Sequence, residues 1–327
     1  MLIDLLNLAF GIAALAWGGY LVVEGASSLA RILGVSQLVV GLTVVAFGTS
    51  APELSVNLLA AVEGETDLAF GNVIGSNIAN IGLILGLAAV VRNLDIQSQL
   101  ITRELPMLLL ATTAAALMAL DPLLAGTPAE YDRGDGLLLL LFFTVFMYGI
   151  VREWWQGRHE DSLVRSSGAT RPATPRWPAV KSVGICLVGL TVLIVGGEAA
   201  VSGATGLALV AGVPPAVIGL SVVAVGTSLP ELVTSLVAAI RGNADIAVGN
   251  IVGSNIFNLL FVLGLTACLR PTPVPPSGLV DIAALVFFAF LLVPISLARG
   301  RCIVRTEGWI LLVLWGGYIA MRYALLG

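Results

Sequence analysis

The chain has 327 residues, of which 58% are hydrophobic and 11% charged, with a mean hydropathy of +1.00. A soluble domain carries roughly a quarter of its residues charged, so water is excluded as the solvent for most of this surface and lipid takes its place. The net charge is −4, and no nucleic-acid partner is expected.

Apolar runs of about 18 residues or more, the length that crosses ~30 Å of hydrocarbon as helix, recur along the chain. Ten are read: 5–29, 36–62, 68–91, 104–120, 136–152, 180–209, 214–240, 246–269, 279–298 and 307–325. The first begins at Asp4 without a basic region or a small-residue cleavage motif, so it is expected to remain as a membrane helix. Glu24, near its end, lies seven residues before Arg31, within reach of the inner interface. The second run contains GLTVVAFGTSAPEL at 41–54, and the third opens after Asp67 and contains GNVIGSNIAN at 71–80. Residues 152–178 form an Arg-, Trp-, Pro- and Ser-rich connection, too short for a folded domain and suited to a membrane surface. The sixth run carries Glu198 behind Gly196 and Gly197, a candidate lining or proton-handling residue. The seventh contains GLSVVAVGTSLPEL at 219–232, and the eighth opens after Asp245 and contains GNIVGSNIFN at 249–258. Asp67 and Asp245 are expected as helix caps, and PTPVPPSG at 271–278 as a stiff loop. Cys186, Cys268 and Cys302 show no paired spacing, and the single His159 lies in the central connection, so thiolate or imidazole chemistry is not expected inside the membrane.

With these crossings, thirteen of the sixteen Lys and Arg residues fall on one side, leaving Arg133, Arg270 and Arg322 on the other. The positive-inside tendency then places both termini outside and the 152–178 connection in the cytoplasm, as for a multi-pass protein of the cell inner (plasma) membrane.

Residues 41–54 and 219–232 are identical at 11 of 14 positions, and the same offset of 178 aligns 71–80 with 249–258 and Asp67 with Asp245. Each copy is half a chain, far longer than a solenoid unit. The organisation read is therefore a first five-helix repeat at 1–151 with its motif at 41–80, a linker at 152–178, and a second repeat at 179–327 with its motif at 219–258. Five crossings per copy invert the second relative to the first, a recurring plan of secondary transporters.

Glu53 lies in the middle of an apolar span, and Glu231 occupies the matching position. An ionised acid at a helix centre costs about 2.5–3.5 kcal/mol even on mild insertion scales, and neither motif holds a Lys or Arg. A bound metal cation, or a proton on each acid, remains to neutralise them. Pro52 and Pro230 withdraw a backbone donor just before each acid, freeing carbonyls near Gly48 and Gly226. Ala46, Thr49 and Glu53 stand at i, i+3 and i+7 of a helix, as do Ala224, Thr227 and Glu231. Ser76 and Asn80 are four apart, mirrored by Ser254 and Asn258. Such an oxygen set suits hard cations such as Na⁺, Ca²⁺ or Mg²⁺, and mutually exclusive occupancy of one anionic site suffices for exchange. Gly48, Gly71, Gly75, Gly226, Gly249 and Gly253 are read mainly as close-packing positions, and Asn72, Asn77, Asn250 and Asn255 as caps or braces of broken helices or as contacts to an ion.

GTSAPEL with GNVIGSNIAN, and GTSLPEL with GNIVGSNIFN, together resemble the two alpha-repeats of the cation/Ca²⁺ exchanger superfamily, most closely its microbial Na⁺/Ca²⁺ exchanger branch. The resemblance implies an all-α integral membrane protein of ten transmembrane helices in two inverted five-helix repeats. It implies a secondary-active antiporter, not an enzyme, exchanging Na⁺ for Ca²⁺ by alternating access, with the spans 5–29 and 180–209 sliding past the motif helices. Glu53 and Glu231 would be the central acidic ligands, with Thr49, Thr227, Ser76 and Ser254 supplying oxygens to flanking Na⁺ positions. Ala46 and Ala224 would contribute backbone carbonyls, and Asn80 and Asn258 the middle level. Many relatives carry Asp at one of these last two positions, and the neutral pair points away from potassium co-transport. Na⁺ and Ca²⁺ enter as substrates, so no cofactor and no obligate protein partner besides the lipid bilayer are implied. Proton coupling through the same acids, H⁺/Ca²⁺ or another divalent-cation exchange, is the alternative.

Overall fold

In hydrocarbon every backbone amide must pair within its own segment, so uninterrupted runs of Leu, Ile, Val and Ala fold as helices. A computed structural model describes residues 1–121, 126, 128–165, 178–212 and 226–326. Its helices are α1 (Leu2–Leu33), α2 (Gln37–Thr49), α3 (Ala51–Glu63), α4 (Thr66–Val91), α5 (Leu100–Met118) and α6 (Arg133–Arg165). They continue with α7 (Ala179–Val210), α8 (Leu229–Ile240), α9 (Ala244–Leu269), α10 (Gly278–Leu297) and α11 (Arg305–Leu326). Among the described residues, seven helices are long and apolar enough to span a bilayer, eight when the bent pair α2 and α3 counts as one. Large apolar side chains such as Phe10, Trp17, Leu137, Val145, Phe287 and Val313 point outward, as a lipid-facing belt requires. The protein is a multi-pass membrane protein.

The helix α6 runs on to Arg165, so the start of the 152–178 connection is helical. The first part of the expected 214–240 span, with Ala224 in it, lies outside the described residues.

The helices α1 and α7 lie against each other in antiparallel sense, Gly11 beside Ala200, Gly18 beside Gly189 and Gly25 beside Cys186. Glycines seven residues apart put backbone on backbone, the way membrane helices gain contact where apolar burial gives no drive. A Cβ on Gly18 would meet the Gly189 carbonyl at 2.9 Å. The helices α4 and α9 are also antiparallel. Gln97, past the end of α4, donates to Asp245 at the start of α9 (2.6 Å), while Arg270, past the end of α9, covers Gly64 ahead of α4. Asp67 and Asp245 do not cap these helices. The capping positions are Glu65 and Asn243, and the two aspartates sit in the first turn, where the helix dipole favours them.

The loops are tied by two short antiparallel ribbons. β1 (Leu94–Asp95) pairs with β4 (Cys302–Ile303), and β2 (Glu130–Tyr131) pairs with β3 (Thr272–Pro273). Two arginines 178 residues apart add a reciprocal tie. Arg92 donates to the Ile240 carbonyl at the end of α8 (3.3 Å) and surrounds Gly242, while Arg270 surrounds Gly64 at the end of α3. Both place a cation at a helix C-terminus, where the dipole favours it. Gly64 has φ 89°, and a Cβ there would lie 2.9 Å from the Arg270 guanidinium. Gly64→Ala is therefore expected to lose about 1 kcal/mol of stability from the left-handed backbone alone, read as a lower unfolding midpoint in detergent.

Candidate cation-binding site

The helical run read as one span at 36–62 is broken. Pro52 has no amide hydrogen to offer the Gly48 carbonyl, and at Ser50 (φ −85°, ψ 10°) the chain bends by 45° between α2 and α3. Ser228 adopts the same conformation (φ −87°, ψ 7°) ahead of Pro230 in the first turn of α8. Glu53 and Glu231 thus stand in the first turns of α3 and α8 rather than in the middle of a continuous helix. The change improves their electrostatics, since the positive end of each helix dipole now faces a carboxylate. The i, i+3, i+7 spacing does not survive as one helical face, because the break falls between Thr49 and Glu53.

Each acid accepts a hydrogen bond from a serine of the opposite half of the chain. Ser50 donates to Glu231 Oε1 (2.8 Å) and Ser228 donates to Glu53 Oε1 (3.1 Å). The Thr49 and Ser254 hydroxyls lie near Glu231, and the Thr227 hydroxyl lies near Glu53. Both carboxylates are buried, at 1% and 0% exposure, and each keeps its Oε2 without a hydrogen-bond partner. Ser254 Oγ lies 3.5 Å and Thr49 Oγ1 3.3 Å from the Ala46 carbonyl oxygen, so four of the expected residues, Ala46, Thr49, Ser254 and Glu231, converge.

Asparagines brace this arrangement. Asn72 donates to the Glu53 carbonyl (3.2 Å) and to Asn57 (2.5 Å); Asn250 donates to the Glu231 carbonyl (3.4 Å) and to Ser235 (3.0 Å). Their own Oδ1 atoms accept from Thr227 and Thr49 respectively. These amides hold the carbonyls of the two acidic residues.

Asn80 and Asn258 sit at the start of π-helical turns in α4 (Asn80–Leu85) and α9 (Phe257–Val262), a local widening that recurs at functional positions. Asn80 donates to Asn255 (2.9 Å) and Asn258 donates to Ser76 (3.2 Å), which leaves Oδ1 of both without a partner. Ser76 and Ser254 therefore both lie in the buried polar centre. Phe257, preceding Asn258, stacks on Phe47 at 4.6 Å between ring centroids.

Glu53 Oε2, Glu231 Oε2, Asn80 Oδ1 and Asn258 Oδ1 are all acceptors, buried and unpaired. Buried acceptors of this kind are stabilised by a donor or a cation, and among the described residues no Lys or Arg forms an ion pair with either glutamate. The donor set is carboxylate, amide, hydroxyl and carbonyl oxygen, which fits hard cations. Sequence reasoning missed Ser50, Ser228 and Asn57. The first two were visible only as part of the repeated GTS, and Asn57 has Ser235 as its repeat partner, so no identity marks it.

A helical membrane protein with buried acids and an oxygen-lined interior at the first turns of two helices resembles the ion-handling transporters, and comparison with known proteins agrees. The profile of the family described as sodium/calcium exchanger protein matches residues 4–152 and 181–324. The chain belongs to this family, in the microbial branch of the cation/Ca²⁺ exchanger superfamily. It is 38% identical to a putative antiporter CaxA of Alkalimonas amylolytica, over 97% of this chain and 98% of that protein. It is 30% identical to the sodium/calcium exchanger MaX1 of Methanosarcina acetivorans, over 98% and 99%, and 38% identical to the inner membrane protein YrbG of Escherichia coli, over 84% and 83%. A solved structure of the sodium-calcium exchanger NCX_Mj superposes with a TM-score of 0.82 at 31% identity, covering 98% of both chains.

Proposed function

We propose that the protein is an antiporter that exchanges Na⁺ for Ca²⁺ by alternating access at a site centred on Glu53 and Glu231. The observation that carries this reading is the pair of buried carboxylates, each with one oxygen held by a serine of the other half and one oxygen unpaired. Two such acids carry a formal charge of −2, matched by one Ca²⁺ or by Na⁺ ions sharing the surrounding oxygens. Thr49, Thr227, Ser76, Ser254 and the Ala46 carbonyl supply the neutral ligands, Asn80 and Asn258 the middle level, and Ala224 the carbonyl equivalent to that of Ala46. Cations competing for the same carboxylates couple their transport in opposite directions.

Ten transmembrane helices in two inverted repeats complete the reading. The antiparallel pairs α1 with α7 and α4 with α9, and the reciprocal pairing of Arg92 with Gly242 and Arg270 with Gly64, support inversion. The basic residues favour both termini outside, and the name of the Escherichia coli relative favours an inner membrane location. Ca²⁺ and Na⁺ are the partners, with the bilayer as solvent.

The test is ⁴⁵Ca²⁺ uptake into proteoliposomes loaded with Na⁺, against vesicles loaded with K⁺ or carrying a pH gradient alone. Uptake severalfold higher with internal Na⁺ is expected. Uptake driven only by the pH gradient would reassign the coupling ion to the proton, and no uptake under any gradient would remove Ca²⁺ from the reading.

A further inference from the structure

A cavity of about 370 Å³ lies beside the site, lined by residues of α3 and α7 and by those at the start of α8. Pro52 and Pro230, which precede the two glutamates, and Thr227, which lies near Glu53, form part of its wall. Ser55 and Glu198 add a hydroxyl and a carboxylate, and Glu198 is the one charged residue among those described as lining it. Water occupies ~30 Å³ per molecule, so the cavity has room for a cation with its first hydration shell. It runs along α3 from Ala51 to Leu59, toward the C-terminal end of that helix.

The repeat offset of 178 makes the cavity informative, because the related place at the other end of the molecule is chemically different. Glu198, Ser202 and Glu63 correspond to Tyr20, Glu24 and Arg241. Arg241, at the end of α8, donates to Glu24 of α1 at 2.9 Å and stacks on the Tyr20 ring at 4.3 Å. At that end a guanidinium lies between a carboxylate and a ring, whereas positions 63, 198 and 202 hold Glu, Glu and Ser and no cation. An ion-paired guanidinium at one end and a cavity holding an acid at the other suit a one-sided approach to the paired glutamates.

We infer that the Glu198 cavity is a second cation station. There a hydrated hard cation is held weakly by the Glu198 carboxylate and the Ser55 and Thr227 hydroxyls before it passes between Pro52 and Pro230 to Glu53 and Glu231. The inference rests on the exchange reading above. One carboxylate at a wet site is worth about 1 kcal/mol to a neighbouring cation, roughly fivefold in occupancy, and salt screens it.

Two measurements on the full-length chain in proteoliposomes test it. In Glu198→Gln, the half-saturating Ca²⁺ concentration for Na⁺-driven uptake is expected to rise about fivefold when Ca²⁺ is applied on the cavity side at low ionic strength. The rise should shrink in high N-methylglucamine chloride, be absent for Ca²⁺ applied on the other side, and be largely reversed in Glu198→Asp. An equal half-saturation in wild type and Glu198→Gln, or an equal rise on both sides, would overturn the proposal. Independently of transport, Glu198→Cys in a chain whose three native cysteines are replaced by Ala is expected to react with a membrane-impermeant cationic thiosulfonate from one face only, and more slowly in millimolar Ca²⁺. Absence of labelling, or labelling indifferent to Ca²⁺, would sink the station. Failure of wild-type uptake beside Ca²⁺-slowed labelling would instead count against the exchange reading.

Discussion

Glu53→Gln and Glu231→Gln are each expected to lower Na⁺-driven Ca²⁺ uptake by about a hundredfold or more while leaving the protein folded. An amide keeps the shape and can still accept the hydrogen bond from Ser228 or Ser50, so the local packing persists. What disappears is the charge, and a divalent cation taken from water into a low-dielectric centre needs that charge to offset lost hydration. Removal of one buried, partly unpaired carboxylate also relieves a cost in the protein alone, so the unfolding temperature without Ca²⁺ is expected to stay level or rise. Ca²⁺ should then stabilise wild type against heat, through binding to the native state, and fail to stabilise either variant. Full exchange in either variant would place the cation elsewhere, and loss of folding without loss of Ca²⁺ stabilisation would make the acid structural.

The second large effect is expected at Gly253. In α9 this residue faces α2 so closely that a Cβ would lie 2.5 Å from the Leu42 carbonyl oxygen and 2.7 Å from the Leu42 Cα. Both atoms are backbone, so no side chain can turn aside and the helices themselves must separate. Overpacking of this kind costs typically 1–3 kcal/mol, and here the separation acts directly on the site. Ser254, the next residue, would leave the Ala46 carbonyl, and Asn250 would leave Thr49. Gly253→Val is thus expected to unfold at a markedly lower temperature and to lose the stabilising effect of Ca²⁺. Gly317→Val, on a position of α11 with no neighbour within 4 Å, serves as the control. Equal behaviour of the two variants in a thermal unfolding series would contradict the close approach of α2 and α9.

The membrane class, the repeated motifs and the two glutamates as buried acids in need of compensation were legible before any coordinates, and for one physical reason. An ionised acid in hydrocarbon is expensive, so Glu53 and Glu231 stand out from their apolar surroundings, and the identity of their flanking residues pairs them. The prolines were legible too, since a missing amide hydrogen is a property of the residue alone. Neutral hydroxyls and amides carry no such cost, and they left little trace. Ser50 and Ser228 acquire their meaning only from partners 181 and 175 residues away, and Asn57 from the carbonyl of Ala69 and the amide of Asn72. The pairing of α1 with α7 through glycines, the bend at Ser50 that moves Glu53 into a helix N-terminus, and the contacts of Arg241 with Glu24 and Tyr20 belong to the same group. Local pattern determined which residues had to be compensated in the membrane. Which groups compensate them was decided by helix packing between distant halves of the chain, because a hydrogen bond or a backbone contact depends on position in space and on no preference a single residue carries.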